Sequence, residues 1–269
     1  MIPNILFTDL DGTLLNDKKE ITPGNQSAIT EALEAGHKIV IATGRPLASA
    51  RIQAERLGLT KEGCYAITYN GGVIYDSFRQ TVLSGVTVPS NLMAPIFHAA
   101  HDMGIHIHTY SSTHILSEYE TMELREYAKT TLLPWQIVPS IESVTDYQPY
   151  KLLAISLDRK KLTELQQMLQ QQYSGVLESF FSTDCLLEIV PSGVSKGSAV
   201  KWLCDYLNIP LSHSVAAGDA ENDISMLETA HVGAVMCNAY PGIAEHGTYV
   251  TAADNNHDGV AEIIRRFIL

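Results

Sequence analysis

Two carboxylates, Asp9 and Asp11, follow the apolar run Ile5 to Phe7 in the stretch NILFTDLDGTLL. Like charges held close together in a buried place cost several kcal/mol unless something compensates them. Three more polar clusters have the same setting. Thr43, Gly44 and Arg45 follow KIVIA, Lys196 comes just after LEIVPSGVS, and Asp219, Asn222 and Asp223 (GDAEND) follow HSVAA. Each cluster has an ordinary explanation on its own, since Asp-Gly forms turns, Thr and Asp cap helices, and a Lys near a helix start is usually solvated. Four of them, each after an apolar run, are harder to credit to turn chemistry. If all are ionised, Asp9, Asp11, Asp219 and Asp223 carry four negative charges against the single positive charge of Lys196. A hard divalent cation would offset much of that deficit, and Mg²⁺ suits ligation by carboxylate and phosphate together. It would also let a carboxylate approach a phosphate dianion.

These residues need a scaffold that brings strand ends together. Ile5 to Thr8 reads as a short buried strand. ITPGNQSAITEALEAGHK reads as a helix with Thr22 as N-cap, Pro23 in the first turn and Gly36 just past its end. Lys38 to Thr43 is a second strand, PLASARIQAERLG a second helix closed by Gly58, and YAITYN a third strand. Short apolar strands alternating with helices indicate parallel βαβ units. The rhythm then changes. GGVIYDSFRQTVLSGVTV alternates at period two, as antiparallel hairpins do. From about Val88 to Glu188, strands and helices mix, with helices expected near 91–103 and 160–172 and strands near 105–110 and 152–157. After Pro191 the βα rhythm returns, ending in the helix GVAEIIRRFIL. The expected architecture is α/β: a doubly wound, Rossmann-like parallel sheet from residues 1–84 and 190–269, interrupted by an inserted α+β domain over 85–189. Ligands of such a sheet bind beyond the carboxyl ends of its strands, where all four clusters fall.

Composition narrows the partners. The chain has 269 residues, 45% of them hydrophobic, and a formal net charge of −12. That acidity disfavours binding nucleic acid over a broad surface, although a small phosphorylated substrate still fits a locally positive site. Cys64, Cys185, Cys204 and Cys237 are scattered, which suggests reduced thiols and a cytoplasmic protein. MIPNILFTD lacks the pattern of a signal peptide, and no run of apolar residues is long enough for a membrane span. Oligomeric state is not legible.

DLDGT, ATGRP, SKG and GDAEND, in that order, resemble the four motifs of the haloacid dehalogenase superfamily, and more narrowly its Cof-type sugar-phosphatase branch. Chain length and the insertion after the second motif match too. The resemblance implies a phosphatase with an inserted cap that governs specificity. It makes Asp9 the nucleophile that forms an aspartyl-phosphate. It makes Asp11 the group that protonates the leaving alcohol and then activates water. Asp9, the Asp11 backbone carbonyl and Asp219 would hold Mg²⁺. Thr43, with the Gly44 and Leu10 amides, would cradle the phosphoryl oxygens, Lys196 would neutralise them, Asn222 would contact them, and Asp223 would support Lys196 or the metal's waters. Sugar phosphates are the substrate class implied first, with phosphorylated cofactors such as flavin mononucleotide or pyridoxal phosphate, or phosphomutase chemistry, as alternatives.

Other motifs compete. GVSKG matches the Gly-x-Ser-x-Gly elbow of serine esterases, with Ser195 as nucleophile and Asp219 followed by His246 or His257 in chain order. That reading leaves Asp9 and Asp11 unexplained and lacks an oxyanion motif. The inserted segment has His98, His101, His106, His108 and His114, a spacing that could bind a transition metal. The simpler expectation puts Ile105 and Ile107 in the core, with His106 and His108 facing solvent or a substrate cavity.

Overall fold

The computed structural model describes residues 2–144 and 149–269. In chain order the first elements are β1 (Ile5–Thr8), α1 (Pro23–Glu34), β2 (Lys38–Ala42), α2 (Leu47–Arg56), β3 (Cys64–Thr68), β4 (Val73–Asp76) and β5 (Thr81–Gly85). Next come α3 (Ser90–Asp102), β6 (His106–Tyr110), β7 (Ile115–Ser117), α4 (Met122–Thr131), β8 (Trp135–Ile137), β9 (Leu152–Ile155), α5 (Arg159–Gln172), β10 (Leu177–Thr183) and β11 (Leu186–Pro191). The last are α6 (Lys196–Leu207), β12 (Ser214–Gly218), α7 (Ile224–Thr229), β13 (Val232–Val235), β14 (Tyr249–Val250) and α8 (Gly259–Phe267). Two compact units emerge, one from residues 1–44, 50–84 and 195–269, the other from 45–49 and 85–194.

The first unit is built on an eight-stranded sheet of order β14-β13-β12-β1-β2-β3-β4-β5. β1 lies between β12 and β2 and is parallel to both, with Thr8 opposite Ala217 on one side and Ile41 on the other. β3 is parallel to β2, and β4 turns back antiparallel to β3, where the period-two pattern begins. The central strands are buried apart from Lys38 at the start of β2, as apolar runs covered on both faces should be. Phe7, Val40, Ile67, Val200, Leu203 and Ala216 belong to one apolar cluster. In α1, Pro23 sits at the first turn and Ala28, Ile29 and Ala32 form the buried face. Thr22 holds the N-cap position with extended backbone, but its hydroxyl makes no cap bond. Gly36, at φ +89°, provides the left-handed exit.

One turn fixes the end of β3. Gly71 has φ +110°, and a Cβ on it would come 2.2 Å from the carbonyl oxygen of Ser195. The backbone conformation and the close approach therefore both require glycine. Gly71→Ala is expected to destabilise the protein by about 2–4 kcal/mol, from strain plus overpacking. A urea melt measures this, and a loss below about 0.5 kcal/mol would contradict the packing described.

The second unit has a six-stranded sheet of order β10-β11-β9-β6-β7-β8, antiparallel apart from the β7–β8 pair. Phe97 of α3 and Leu165 of α5 share its core with Ile105, Ile107 and Leu187. The two isoleucines lie where sequence alternation puts them, but His106 and His108 do not face solvent. They are buried in a hydrogen-bonded chain: Thr121 Oγ1 to His106 Nδ1 at 3.1 Å, His106 Nε2 to His108 Nδ1 at 2.9 Å, His108 Nε2 to Tyr110 OH at 3.1 Å, and Tyr110 OH to Tyr127 OH at 2.8 Å. Burial pushes His106 down to about 4 and His108 well below the ordinary imidazole range, so both are neutral. Tyr127 comes from α4, an amphipathic helix that covers this row and that sequence reading missed. Among the described residues, no histidine belongs to a cluster compact enough to hold a metal ion. No described helix is long and apolar enough to cross a membrane.

Candidate active site

Parallel pairing in register brings the carboxyl ends of β1, β2, β3 and β12 to one edge of the sheet. The Asp9 N–H continues the ladder to the Ala217 carbonyl (3.0 Å), the Thr43 N–H to Ile67 (2.9 Å), and the Asn70 N–H to Thr43 (3.1 Å). Beyond β1 the chain turns sharply. Leu14 and Leu15 donate to the carbonyls of Asp9 and Leu10 at 3.3 and 2.8 Å, and Gly12 takes φ +85°. A Cβ on Gly12 would lie 2.5 Å from Asp219 Oδ2, so glycine here lets the loop pass close beside a carboxylate.

Lys196 is the electrostatic centre. It opens α6, whose start is fixed by reciprocal bonds between Ser195 and Ser198. Its side chain is fully buried, with Nζ 2.7 Å from Asp9 Oδ1 and 2.5 Å from Asp223 Oδ1. Burial alone would pull the ammonium pKa down, but the Asp223 and Asp9 carboxylates outweigh this and push it above the ordinary lysine value. Asp223 Oδ2 accepts the N–H groups of Asp219 and Ala220 at 2.9 and 3.1 Å. Asp219 Oδ1 accepts the Thr13 hydroxyl at 2.7 Å.

Two buried carboxylates thus pair with one ammonium, and a third, Asp219, joins them so that Asp9, Asp219 and Asp223 place ligand oxygens within 4.8 Å of one another. Desolvation, reinforced by Asp223, Asp219 and Asp11 and only partly opposed by Lys196, pushes Asp9 up to about 8. Burial and Asp223 push Asp219 up to about 7, against the Thr13 bond and Lys196. Carboxylates this reluctant to ionise lack a second counter-charge. The donor set fits a hard divalent cation: it is all oxygen, and Asp9 Oδ2 and Asp219 Oδ2 receive no hydrogen bond from the described residues. Asp223 fits less well, because both of its oxygens are engaged, and it serves to hold Lys196.

The structure thus joins Asp9, Lys196, Asp219 and Asp223 directly. Thr43 and Gly44 stand at the end of β2, both shielded from solvent to different degrees, with Thr43 2% exposed. Asn222 connects to their side of the site through Asn70, its Nδ2 donating to Asn70 Oδ1 at 3.1 Å. Leu10 is fully buried. The Asp11 side chain stands apart from the buried cluster, and its Oδ1 accepts from Lys19 Nζ at 2.9 Å. Sequence reading missed Thr13, Lys19 and Asn70. Lys19 lies in a charged run with no pattern to single it out. Asn70 had a signal, an Asn-Gly turn directly after an apolar strand, but it reads equally well as the start of the hairpin.

The serine-esterase constellation does not assemble. The Ser195 hydroxyl accepts the Ser198 N–H at 3.0 Å as a helix cap. His246 pairs with Glu228 at 2.7 Å and His257 with Asp254 at 2.6 Å, while Asp219 belongs to the carboxylate cluster.

The sequence profile of the haloacid dehalogenase-like hydrolases matches residues 6–264. The 5-amino-6-(5-phospho-D-ribitylamino)uracil phosphatase YwtE of Bacillus subtilis is 30% identical, with 97% of this chain and 96% of that protein aligned. The pyridoxal phosphate phosphatase YbhA of Escherichia coli is also 30% identical, with 98% of each chain aligned. A crystal structure of a haloacid dehalogenase-like hydrolase from Bacteroides thetaiotaomicron superposes with a TM-score of 0.89 at 28% identity, covering 98% of this chain and 99% of that one. Strand-end chemistry, sheet order and these similarities agree, and the chain belongs to the haloacid dehalogenase-like hydrolase family.

Proposed function

We propose that this phosphatase hydrolyses phosphate monoesters of small metabolites, with Asp9 as nucleophile and a divalent cation, Mg²⁺, as cofactor. The observation that carries the reading is a cluster of three buried carboxylates, Asp9, Asp219 and Asp223, with a single buried ammonium paired to two of them. Asp9 attacks phosphorus and takes the phosphoryl group as an aspartyl-phosphate, while the bond to the alcohol oxygen breaks. Asp11 gives that oxygen a proton, and the resulting carboxylate then takes one from the water that attacks the intermediate and releases phosphate. Lys196, held by Asp223, offsets charge on the phosphoryl oxygens, and Thr43, the Gly44 and Leu10 amides and Asn222 bind them. Asp9, the Asp11 carbonyl and Asp219 would hold Mg²⁺, which would supply positive charge to offset carboxylate and phosphate together. The strand-end residues address only the phosphoryl group, so choice of the alcohol is assigned to the inserted segment, 85–189. Sugar phosphates are the first class to assay. The activities named for YwtE and YbhA put ribityl and pyridoxal phosphates beside them.

The test is hydrolysis of p-nitrophenyl phosphate and a panel of these metabolites with Mg²⁺, after chelation, and after re-addition. Chelation is expected to lower activity by roughly a hundredfold or more, and re-addition to restore it. Full activity after thorough chelation would contradict the metal assignment. A pH dependence accompanies it. Burial and the neighbouring carboxylates push Asp9 up to about 8 and Asp219 up to about 7 in the metal-free fold, far above the 3.8 of an ordinary Asp. The folded chain therefore holds protons that the unfolded chain has released. The contribution of these two groups to metal-free stability is largest on the acid side and falls as pH rises through that range. Mg²⁺ takes over the role of those protons, so it should raise Tm more at about pH 8 than at about pH 5. An equal rise at both would contradict this account of the cluster.

A further inference from the structure

Asn70 lies outside the four motifs yet occupies the middle of one side of the site. Tyr69 and Asn70 have φ of +52° and +56°, and Gly71 follows at +110°. Consecutive non-glycine residues in the left-handed region are uncommon and cost conformational free energy. Here they turn the end of β3 so that the Asn70 carboxamide, 1% exposed, comes against Gly44 and Asn222. Its backbone N–H is spent on the Thr43 carbonyl. Its Oδ1 accepts from Asn222 Nδ2 at 3.1 Å, and a Cβ on Gly44 would meet that same oxygen at 2.9 Å. Gly44 is therefore glycine to make room for this amide. Asn70 Nδ2 is buried and has no hydrogen-bond partner among the described residues. A buried N–H₂ without an acceptor is costly to keep, and this one stands beside three residues assigned to the phosphoryl group.

We infer that Asn70 is a further substrate-binding residue: its Nδ2 donates to a non-bridging phosphoryl oxygen, and its Oδ1 holds the Asn222 amide in place. A neutral donor suits the position, since it binds the dianion without drawing on the carboxylates that hold the cation. The inference rests on the phosphatase reading, and the experiment separates the two. Binding of inorganic phosphate in the presence of Mg²⁺ is measured by calorimetry, and KM and kcat with p-nitrophenyl phosphate, for wild type, Asn70→Gly and Asn70→Asp. Gly keeps the left-handed backbone and removes the amide. Asp also tolerates that backbone and keeps the acceptor for Asn222, but replaces the donor by a charge. Both variants should weaken phosphate binding and raise KM by roughly 10- to 100-fold, Asp the more, with kcat changed far less. The Asp variant also covers the case in which Gly at this turn fails to fold. Phosphate affinity within about twofold of wild type in Asn70→Asp would overturn the donor role and leave only support of Asn222. If wild type binds phosphate and hydrolyses phosphate esters while the variants match it, the inference alone falls. If wild type does neither, the phosphatase reading falls with it.

Discussion

Asp9→Asn is expected to slow hydrolysis of p-nitrophenyl phosphate by roughly ten-thousandfold or more. The amide keeps the shape of the side chain but cannot attack phosphorus. The loss should be chemical and not structural. Asp9 is one of three buried carboxylates around Lys196, and Lys196 retains Asp223 at 2.5 Å when Asp9 is neutralised. In the metal-free protein at about pH 8, Tm should therefore hold or rise, because the group removed is one whose ionisation burial opposes. Kinetics alongside a thermal melt check both halves. A kcat within tenfold of wild type would remove Asp9 as the nucleophile, and a large drop in Tm would make a lost rate uninformative.

Asp11→Asn should behave differently. The p-nitrophenolate leaving group needs no proton, so the first transfer to Asp9 proceeds without an acid at position 11. The second step needs a base for water, and the amide supplies none. Steady-state turnover should fall by roughly a hundred- to ten-thousandfold, while a burst of p-nitrophenolate of about one equivalent per enzyme survives. The structure supports a distinct role for this residue. Asp9 is buried in the cluster, whereas the Asp11 side chain is 35% exposed and meets Lys19, whose ammonium offsets its charge. A variant that loses burst and steady state together would place Asp11 in the first step alone.

Much of the core was legible because its signals are physical necessities. Buried parallel strands must be apolar throughout, and the polar residues that follow β1, β2 and β12 stand out for that reason, which is how Asp9, Thr43 and Asp219 could be read together. Lys196 instead follows β11, an antiparallel strand of the second sheet, and enters the site from the start of α6. Individual contacts were harder to read. That Asp223 spends one oxygen on Lys196 and the other on two backbone N–H groups depends on the turn at 219–223, whose geometry a one-dimensional pattern does not carry. Asn70 was overlooked because Asn-Gly after a strand is also the commonest hairpin signal, and its value depends on Gly44 and Asn222, far away in sequence.

The inserted segment was read less well. β7 and β8 are three residues each, too short to show a period, and α4 is polar enough to pass for a loop. The alternation puts Ile105 and Ile107 in the core, where they lie, but it also puts His106 and His108 against solvent or a substrate cavity, and they are buried in a hydrogen-bonded row instead. A histidine gives no warning that neighbours two residues along its own strand and a threonine from beyond β7 will satisfy the ring nitrogens inside the protein. Lys151 and Glu188 make the same point. They form a buried ion pair at 2.7 Å, and their separation in sequence hides it.

The central claim is that the phosphoryl group passes through the Asp9 carboxylate. The most direct test mixes the Asp11→Asn enzyme with p-nitrophenyl phosphate and Mg²⁺, quenches it in acid within one turnover, and maps the digested protein by mass spectrometry. The account predicts a mass increase of one phosphoryl group on the peptide bearing Asp9, lost on treatment with hydroxylamine and absent when Asp9 is also replaced by Asn. A burst of p-nitrophenolate with no modified peptide, or with the group on another residue such as Ser195, would contradict it.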